Sequence, residues 1–219
     1  MGAVCDPFED TELYLRAAGQ AGLKLLYVID THVHADHISG GRRLAEQAGA
    51  RYVLHAEAGA RYDFHAVREG DQLELGNVLI RVLHTPGHTP EHISFLVTDK
   101  TRGPEPWFIL TGHTLMVGDM GRTELASNAE EGARALFESA QKIKALPDYV
   151  EVLPGAFAGS VCGRALSGKP SSTIGFERKF NPAFQMDDRE AFVRFMVENI
   201  PPPPPEADKV WAVNLGKLS

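Results

Sequence analysis

The chain has 219 residues, is 43% hydrophobic and carries a formal net charge of −7, which is enough apolar material for one substantial core and the wrong charge balance for a nucleic-acid partner, whose recognition needs a basic footprint. No apolar run approaches the roughly 20 residues that span a bilayer, and Met1 to Asp10 lacks the basic start and apolar stretch of a secretory leader. Two cysteines, Cys5 and Cys162, are too few for a disulfide framework, so a cytoplasmic protein with no membrane partner is expected.

Val4-Cys5-Asp6-Pro7 reads as the end of a strand entering a turn. Glu9 to Gln20, with Leu13, Leu15, Ala17 and Ala18, suits a short helix stopped by Gly19 and Gly22. Leu23 to Thr31 is too continuously apolar to be half-exposed and belongs inside a sheet covered on both faces. Gly41 to Gly49 reads as a helix, with Leu44 and Ala48 spaced by four, and Arg51 to His55 as the next strand. This alternation indicates an α/β layer. Leu73 to Leu83 reads as a hairpin turning at Gly76-Asn77, followed by strands at Ile93 to Thr98 and Trp107 to Leu110. Ser127 with Glu130 forms a capping box opening a helix to about Ala145. Val150 to Leu153 is a further strand, and a last helix runs from Asp187 to Ile200. Residues 1–200 are expected as one domain. Residues 201–219 form a tail, in which Pro201 to Pro205 favour an extended, stiff segment.

The chemistry concentrates in His32-Val33-His34-Ala35-Asp36-His37, four ligand-capable side chains in six positions. If the preceding strand reaches His34, His32 and His34 share a face, because strand side chains alternate. Asp36 and His37 then lie in the turn leaving the strand, where they can fold back to the same point. His88 sits in Pro86-Gly87-His88-Thr89, a turn that Gly87 allows to bend sharply. His92 reads as a surface or supporting residue, and His55, His65 and His84 as structural. Imidazoles suit zinc, iron and related metals alike.

The first motif resembles the metal-binding signature of the metallo-β-lactamase superfamily. Thr85 to His92, Leu110 to Asp119 and Leu153-Pro154-Gly155-Ala156 resemble its later motifs. Gly118 to Thr123 and Ala158 to Cys162-Gly163 are most similar to the persulfide dioxygenase branch, including bacterial members fused to rhodanese domains. The resemblance implies a four-layer αββα sandwich of the α/β (α+β) class. That fold usually begins with a hairpin for which this chain has no counterpart, and an exposed sheet edge would invite a homodimer. It implies metal ligation by His32, His34, His88 and, where the family has aspartate, His113. The family's fourth-motif histidine is replaced by Ala156, and Phe157 adds bulk near the pocket.

A second metal would keep only Asp36 and His37, fewer than the three protein ligands zinc sites want, so a mononuclear centre is expected. Asp36 and His37 then remain as catalytic residues. The family comparison implies one Fe(II) per chain, with zinc as the alternative, held by His32, His88 and His113 with His34 nearby. It also implies that Arg122 binds the carboxylate of glutathione and, with Phe157, contributes to substrate binding. Cys162 is a candidate acceptor of sulfane sulfur, or a small core residue. Asp119 is read as a brace for its loop. The implied activity is oxidation of a small thiol persulfide by O2 to sulfite, with a rhodanese-type sulfurtransferase as a partner. The alternatives are a zinc thioester hydrolase of glyoxalase II type, and a metal-poor, non-catalytic relative.

Overall fold

The computed structural model describes residues 1–125, 128–198, 200 and 202–218. Strands β1 (Gly2–Cys5), β2 (Leu25–Ile29), β3 (Arg51–His55) and β4 (His65–Val67) pair in that order, all parallel. Helices α1 (Glu12–Gln20) and α2 (Gly41–Ala48) make the first crossovers. A second sheet contains β5 (Gln72–Leu75), β6 (Val78–His84), β7 (Ile93–Asp99), β8 (Phe108–Gly112), β11 (Glu151–Pro154) and β12 (Ser172–Thr173), in the order β12-β11-β8-β7-β6-β5. In it β8 and β11 run parallel and the other pairs antiparallel. Between β8 and the long helix α3 (Ala129–Lys144) lies a small hairpin of β9 (Leu115–Met116) and β10 (Asp119–Met120). Helices α4 (Ile174–Phe180), α5 (Arg189–Val197) and α6 (Ala207–Asn214) complete the described elements.

Side-chain alternation builds the layers. On β3, Tyr52 and Leu54 face outwards to Leu44 and Ala45 of α2, while Val53 faces inwards. Val53 joins Tyr27 and Ile29 of β2, Val67 of β4, and Leu73, Ile80, Val82, Ile93, Phe95 and Val97 of the second sheet in the middle layer. The far face of that sheet presents Leu83, Leu96 and Ile109 to Leu136, Phe137, Ala140, Phe192 and Met196 of α3 and α5. Helix, sheet, sheet, helix: the expected four-layer α/β sandwich is the fold.

Several boundaries differ from the sequence reading. β2 ends at Ile29 and does not reach His34. Beyond it single backbone bonds to β3 and β7 (Asp30 amide to the Val53 carbonyl, 3.1 Å; Ile93 amide to the Thr31 carbonyl, 2.8 Å) are supplemented by side chains: Asp30 accepts from Ser39 Oγ (2.5 Å) and Tyr52 Oη (2.6 Å), and the Thr31 amide donates to Asp6 Oδ1 (2.7 Å). Ser127 lies outside the described residues, and the cap of α3 is Asn128, whose side chain accepts from the Glu130 and Glu131 amides. The helix expected from Asp187 to Ile200 is α5, shorter at both ends, capped by Asp188. α4 and α6 were not foreseen. α6 turns the segment after the prolines back onto the body, where Leu215 is buried and Tyr62 Oη donates to the Asn214 carbonyl at 2.5 Å.

Truncating the wholly buried Ile29 should test the middle layer. Ile29→Ala is expected to cost about 2–5 kcal/mol in denaturant unfolding of the metal-free chain, while the exposed Leu13→Ala stays within about 0.5 kcal/mol.

Candidate metal centre

The centre forms where the loop after β2, the β6–β7 turn and the β8–β9 turn meet. Two glycines permit the approach. Gly112 has φ +49°, and a Cβ there would lie 2.5 Å from Thr31 Oγ1 and 2.6 Å from His92 Nε2. Gly87 has φ +141°, and its Cβ would lie 2.4 Å from Leu136 Cβ of α3. Side chains at either position would push the loops apart. A further tie is the Ile93 amide, which donates to the Thr31 carbonyl at 2.8 Å and so joins the metal loop to the second sheet.

His32, His88 and His113, each nearly inaccessible, bring one ring nitrogen apiece within 4.8 Å of one another. Their ring centroids stand 4.8–4.9 Å apart. Partners fix the tautomers of His32 and His88. Thr31 Oγ1 donates to Asp6 Oδ2 (3.0 Å), so it accepts from His32 Nδ1–H (2.9 Å) and leaves His32 Nε2 as a buried lone pair without a hydrogen-bond partner. The Arg122 carbonyl can only accept, so His88 Nδ1–H donates to it (2.8 Å), and His88 Nε2 faces His113 Nδ1 at 3.2 Å. Burial, reinforced by the neighbouring imidazoles, holds His32 well below the usual histidine range and His88 down to about 3; burial likewise lowers His113.

His34 is different. Its ring packs 4.1 Å from His32, but Nε2 lies 3.1 Å from Asp6 Oδ1 and Nδ1 lies 3.6 Å from Asp36 Oδ1. Burial lowers its affinity for a proton, yet Asp6, Asp36 and Asp30 together outweigh that and hold it charged. For Asp6 burial acts upwards, while His34 and the Thr31 amide bring the carboxyl down to about 2. Asp36 is likewise kept ionised, its burial overcome by His34 and His37. His37 Nδ1 is 3.2 Å from Asp36 Oδ1, and its Nε2 is buried with no partner. A cleft of about 220 Å³ reaches Asp36 and His37 past Phe8 and Pro154.

The remaining residues fall in three groups. His92 is wholly buried and supports its neighbour: its Nε2 accepts from the His113 amide at 3.1 Å, while Nδ1 meets Thr85 Oγ1 and Thr114 Oγ1. Arg122 is buried with its guanidinium on Glu124 and on the carbonyls of Val161 and Pro202. It still lines a cleft of about 640 Å³ between Ala35 of the metal loop and Pro203, Pro204 and Trp211 of the C-terminal segment. Phe157 is 56% exposed and is not brought into the cluster, and Ala156 offers no donor. Cys162 is brought in: its sulfur lies within 4.8 Å of a ligand atom of Asp36 and of His113. Burial, then Asp36, push its thiol up to about 12, the reverse of what activates a cysteine towards sulfur transfer. Asp119 braces this loop, accepting from the Arg164 amide (2.6 Å) and its guanidinium.

Sequence reading missed Asp6, Thr31, Glu91 and Asn214. Glu91 Oε1 accepts from the Val33 amide at 2.8 Å. Asn214 Nδ2 donates to the carbonyls of His34 (2.8 Å) and His37 (2.9 Å), and Oδ1 accepts from the Ser39 amide. Glu91 lies inside a motif already singled out, but carboxylates and amides serving backbone groups leave no sequence pattern. The three-histidine set fits a metal ion. Its lone pairs converge in a dry corner, one has no other partner, and three nitrogens suit iron or zinc.

Residues 3–155 match the family described as the metallo-beta-lactamase superfamily. The mitochondrial persulfide dioxygenase ETHE1 of Mus musculus is 31% identical over 197 residues, 90% of this chain and 70% of that protein. A hydroxyacylglutathione hydrolase of Synechococcus is 33% identical over 149 residues, 67% of this chain and 55% of that protein. Among solved structures, a metallo-beta-lactamase from Staphylococcus aureus superposes with a TM-score of 0.91 at 34% identity, over 99% of this chain and 66% of that one.

If Thr31 fixes the tautomer of His32, removing its oxygen should loosen the metal. Thr31→Val keeps the shape and is expected to weaken iron(II) binding about 10–100-fold, read by competition against a chelator; unchanged affinity would show that the hydroxyl plays no part.

Proposed function

The chain belongs to the metallo-beta-lactamase superfamily, in its persulfide dioxygenase branch, and from that premise we propose that it oxidises a small-molecule thiol persulfide with O2 at a mononuclear iron centre. The observation that carries the reading is the convergence of His32, His88 and His113, three buried imidazoles that bring one ring nitrogen apiece within 4.8 Å of one another, with the N–H groups of His32 and His88 committed to Thr31 Oγ1 and the Arg122 carbonyl. The stoichiometry is one persulfide, one O2 and one water giving one thiol, one sulfite and two protons. Iron(II) held by these three nitrogens would supply redox chemistry towards O2 and a Lewis-acidic contact for the terminal sulfur.

The chain's own residues supply the rest. Ionised Asp36 accepts from His37 Nδ1–H, which leaves His37 Nε2 as the base that takes the persulfide proton. The thiol carrier lies in the cleft between Ala35 and Trp211, whose volume suits a glutathione-sized ligand. Arg122 is the cation lining that cleft, and a carrier carboxylate reaches it in exchange for Glu124. Hydroxyacylglutathione hydrolases among the relatives favour a second reading, zinc-dependent thioester hydrolysis with a related thiol carrier. A rhodanese-type sulfurtransferase is the class of protein that would supply the persulfide.

Protein purified anaerobically without added metal is expected to hold about one iron per chain and to consume O2 when given glutathione persulfide. His113→Ala should lose both properties, whereas His113→Asp, which restores a carboxylate, should keep the iron. Iron-loaded protein that takes up no O2 but hydrolyses S-lactoylglutathione once loaded with zinc would replace this reading with the second. Iron loading unchanged in His113→Ala would remove His113 from the ligand set.

A further inference from the structure

Counting along the sequence leaves the second side of the metal pocket with Asp36 and His37, because Ala156 brings nothing. The fold adds a donor to that side. Cys162 stands on the loop after β11, and its sulfur, a carboxylate oxygen of Asp36 and a ring nitrogen of His113 all lie within 4.8 Å of one another. The cysteine is 1% exposed and His113 2%. The loop is held in place: the Arg122 amide donates to the Cys162 carbonyl (3.1 Å), the Cys162 amide to Ser160 Oγ (3.1 Å), and Asp119 binds Arg164 two residues on. Three separate segments therefore converge on one point.

We propose that Asp36, His113 and Cys162 form a second cation position, selective for zinc, which competes with the three-histidine position for His113. One oxygen, one nitrogen and one sulfur are donor types that zinc accepts, and three protein ligands leave a fourth, tetrahedral place for water. The sulfur sets the selectivity, since a thiolate favours zinc over iron(II) relative to an all-imidazole set. With bond lengths of about 2.0–2.3 Å, donors sharing a tetrahedral zinc stand roughly 3.3–3.8 Å apart. With the donors already within 4.8 Å of one another, the side chains need to close by no more than roughly 1–1.5 Å.

Binding is a simple exchange with no redox step: the thiol releases its proton to solvent and the sulfur takes the metal in its place. A neutral imidazole has one lone pair to give, so His113 serves one cation at a time. Zinc in this position takes His113 from the iron set and Asp36 from His37, disabling the centre described above. The proposal shares with that reading the ligand capacity of His113 and nothing of its iron chemistry.

Cobalt(II) makes the sulfur visible. The metal-free full chain titrated with cobalt is expected to develop a near-ultraviolet thiolate-to-cobalt charge-transfer band, which zinc then bleaches. Cys162→Ser should abolish the band, Asp36→Asn should weaken it, and His32→Ala, which touches only the other position, should retain it. Prior loading with iron(II) should suppress the band in proportion to iron bound. No band at saturating cobalt, a band that survives Cys162→Ser, or a full band coexisting with full iron occupancy would each overturn the proposal. Iron content and persulfide-dependent O2 uptake of Cys162→Ser are read separately, so loss of the band and loss of the dioxygenase remain distinguishable.

Discussion

A neutral imidazole buried in a protein has one N–H to give away and one lone pair to offer, and the centre depends on where those N–H groups go. For His32 the recipient is Thr31 Oγ1, itself anchored on Asp6; for His88 it is the carbonyl of Arg122. The two recipients and the Asp6 anchor sit on three different parts of the fold: the loop after β2, the segment after β10 and the turn after β1. The lone pairs converge because the fold's loops place those oxygens behind the rings. Gly112 and the Thr31–Ile93 backbone bond keep the loops close enough for it.

Charge follows the same geometry. At position 113 this chain has an imidazole where the resembled enzymes have a carboxylate, so the ligand set is neutral. Negative charge is held just outside it instead, on Asp6 and Asp36, with protonated His34 between them. Carboxylates at that distance still favour a buried cation, because low surrounding polarity weakens the screening between them. Asp6 and Asp36 thus keep negative charge beside the neutral three-histidine cluster.

The architecture was largely legible in the sequence. The apolar run at β2, the β3 strand at Arg51–His55 and the Gly76-Asn77 hairpin are set by local pattern, and so they were read correctly. His32 stands out through the density of ligand-capable residues from His32 to His37, and His88 through its Pro86-Gly87 turn and the motif it resembles. What differs is reach: the apolar run reads as a strand from Leu23 to Thr31, with His34 included only conditionally, whereas β2 ends at Ile29 and the side chains of Ser39, Tyr52 and Asp6 bind Asp30 and Thr31. No local pattern announces such long-range pairings. Cys162 posed the same difficulty, since its nearness to Asp36 and His113 exists only after three loops have folded together.

The C-terminal segment supplies the support most distant in sequence from the metal loop. Five consecutive prolines suggest a stiff exit from the body, yet α6 follows them and returns to the metal loop. Asn214 is the point of contact, with two N–H groups on the carbonyls of His34 and His37 and its oxygen on the Ser39 amide. Those backbone groups belong to an irregular loop outside any named strand or helix, and a buried carbonyl or amide left unpaired costs roughly 1–3 kcal/mol. One asparagine thus serves three backbone groups of the loop that no strand ladder reaches. The same return path places Pro203, Pro204 and Trp211 opposite Ala35 and Arg122, so one segment both steadies the ligand loop and walls the larger cleft beside it.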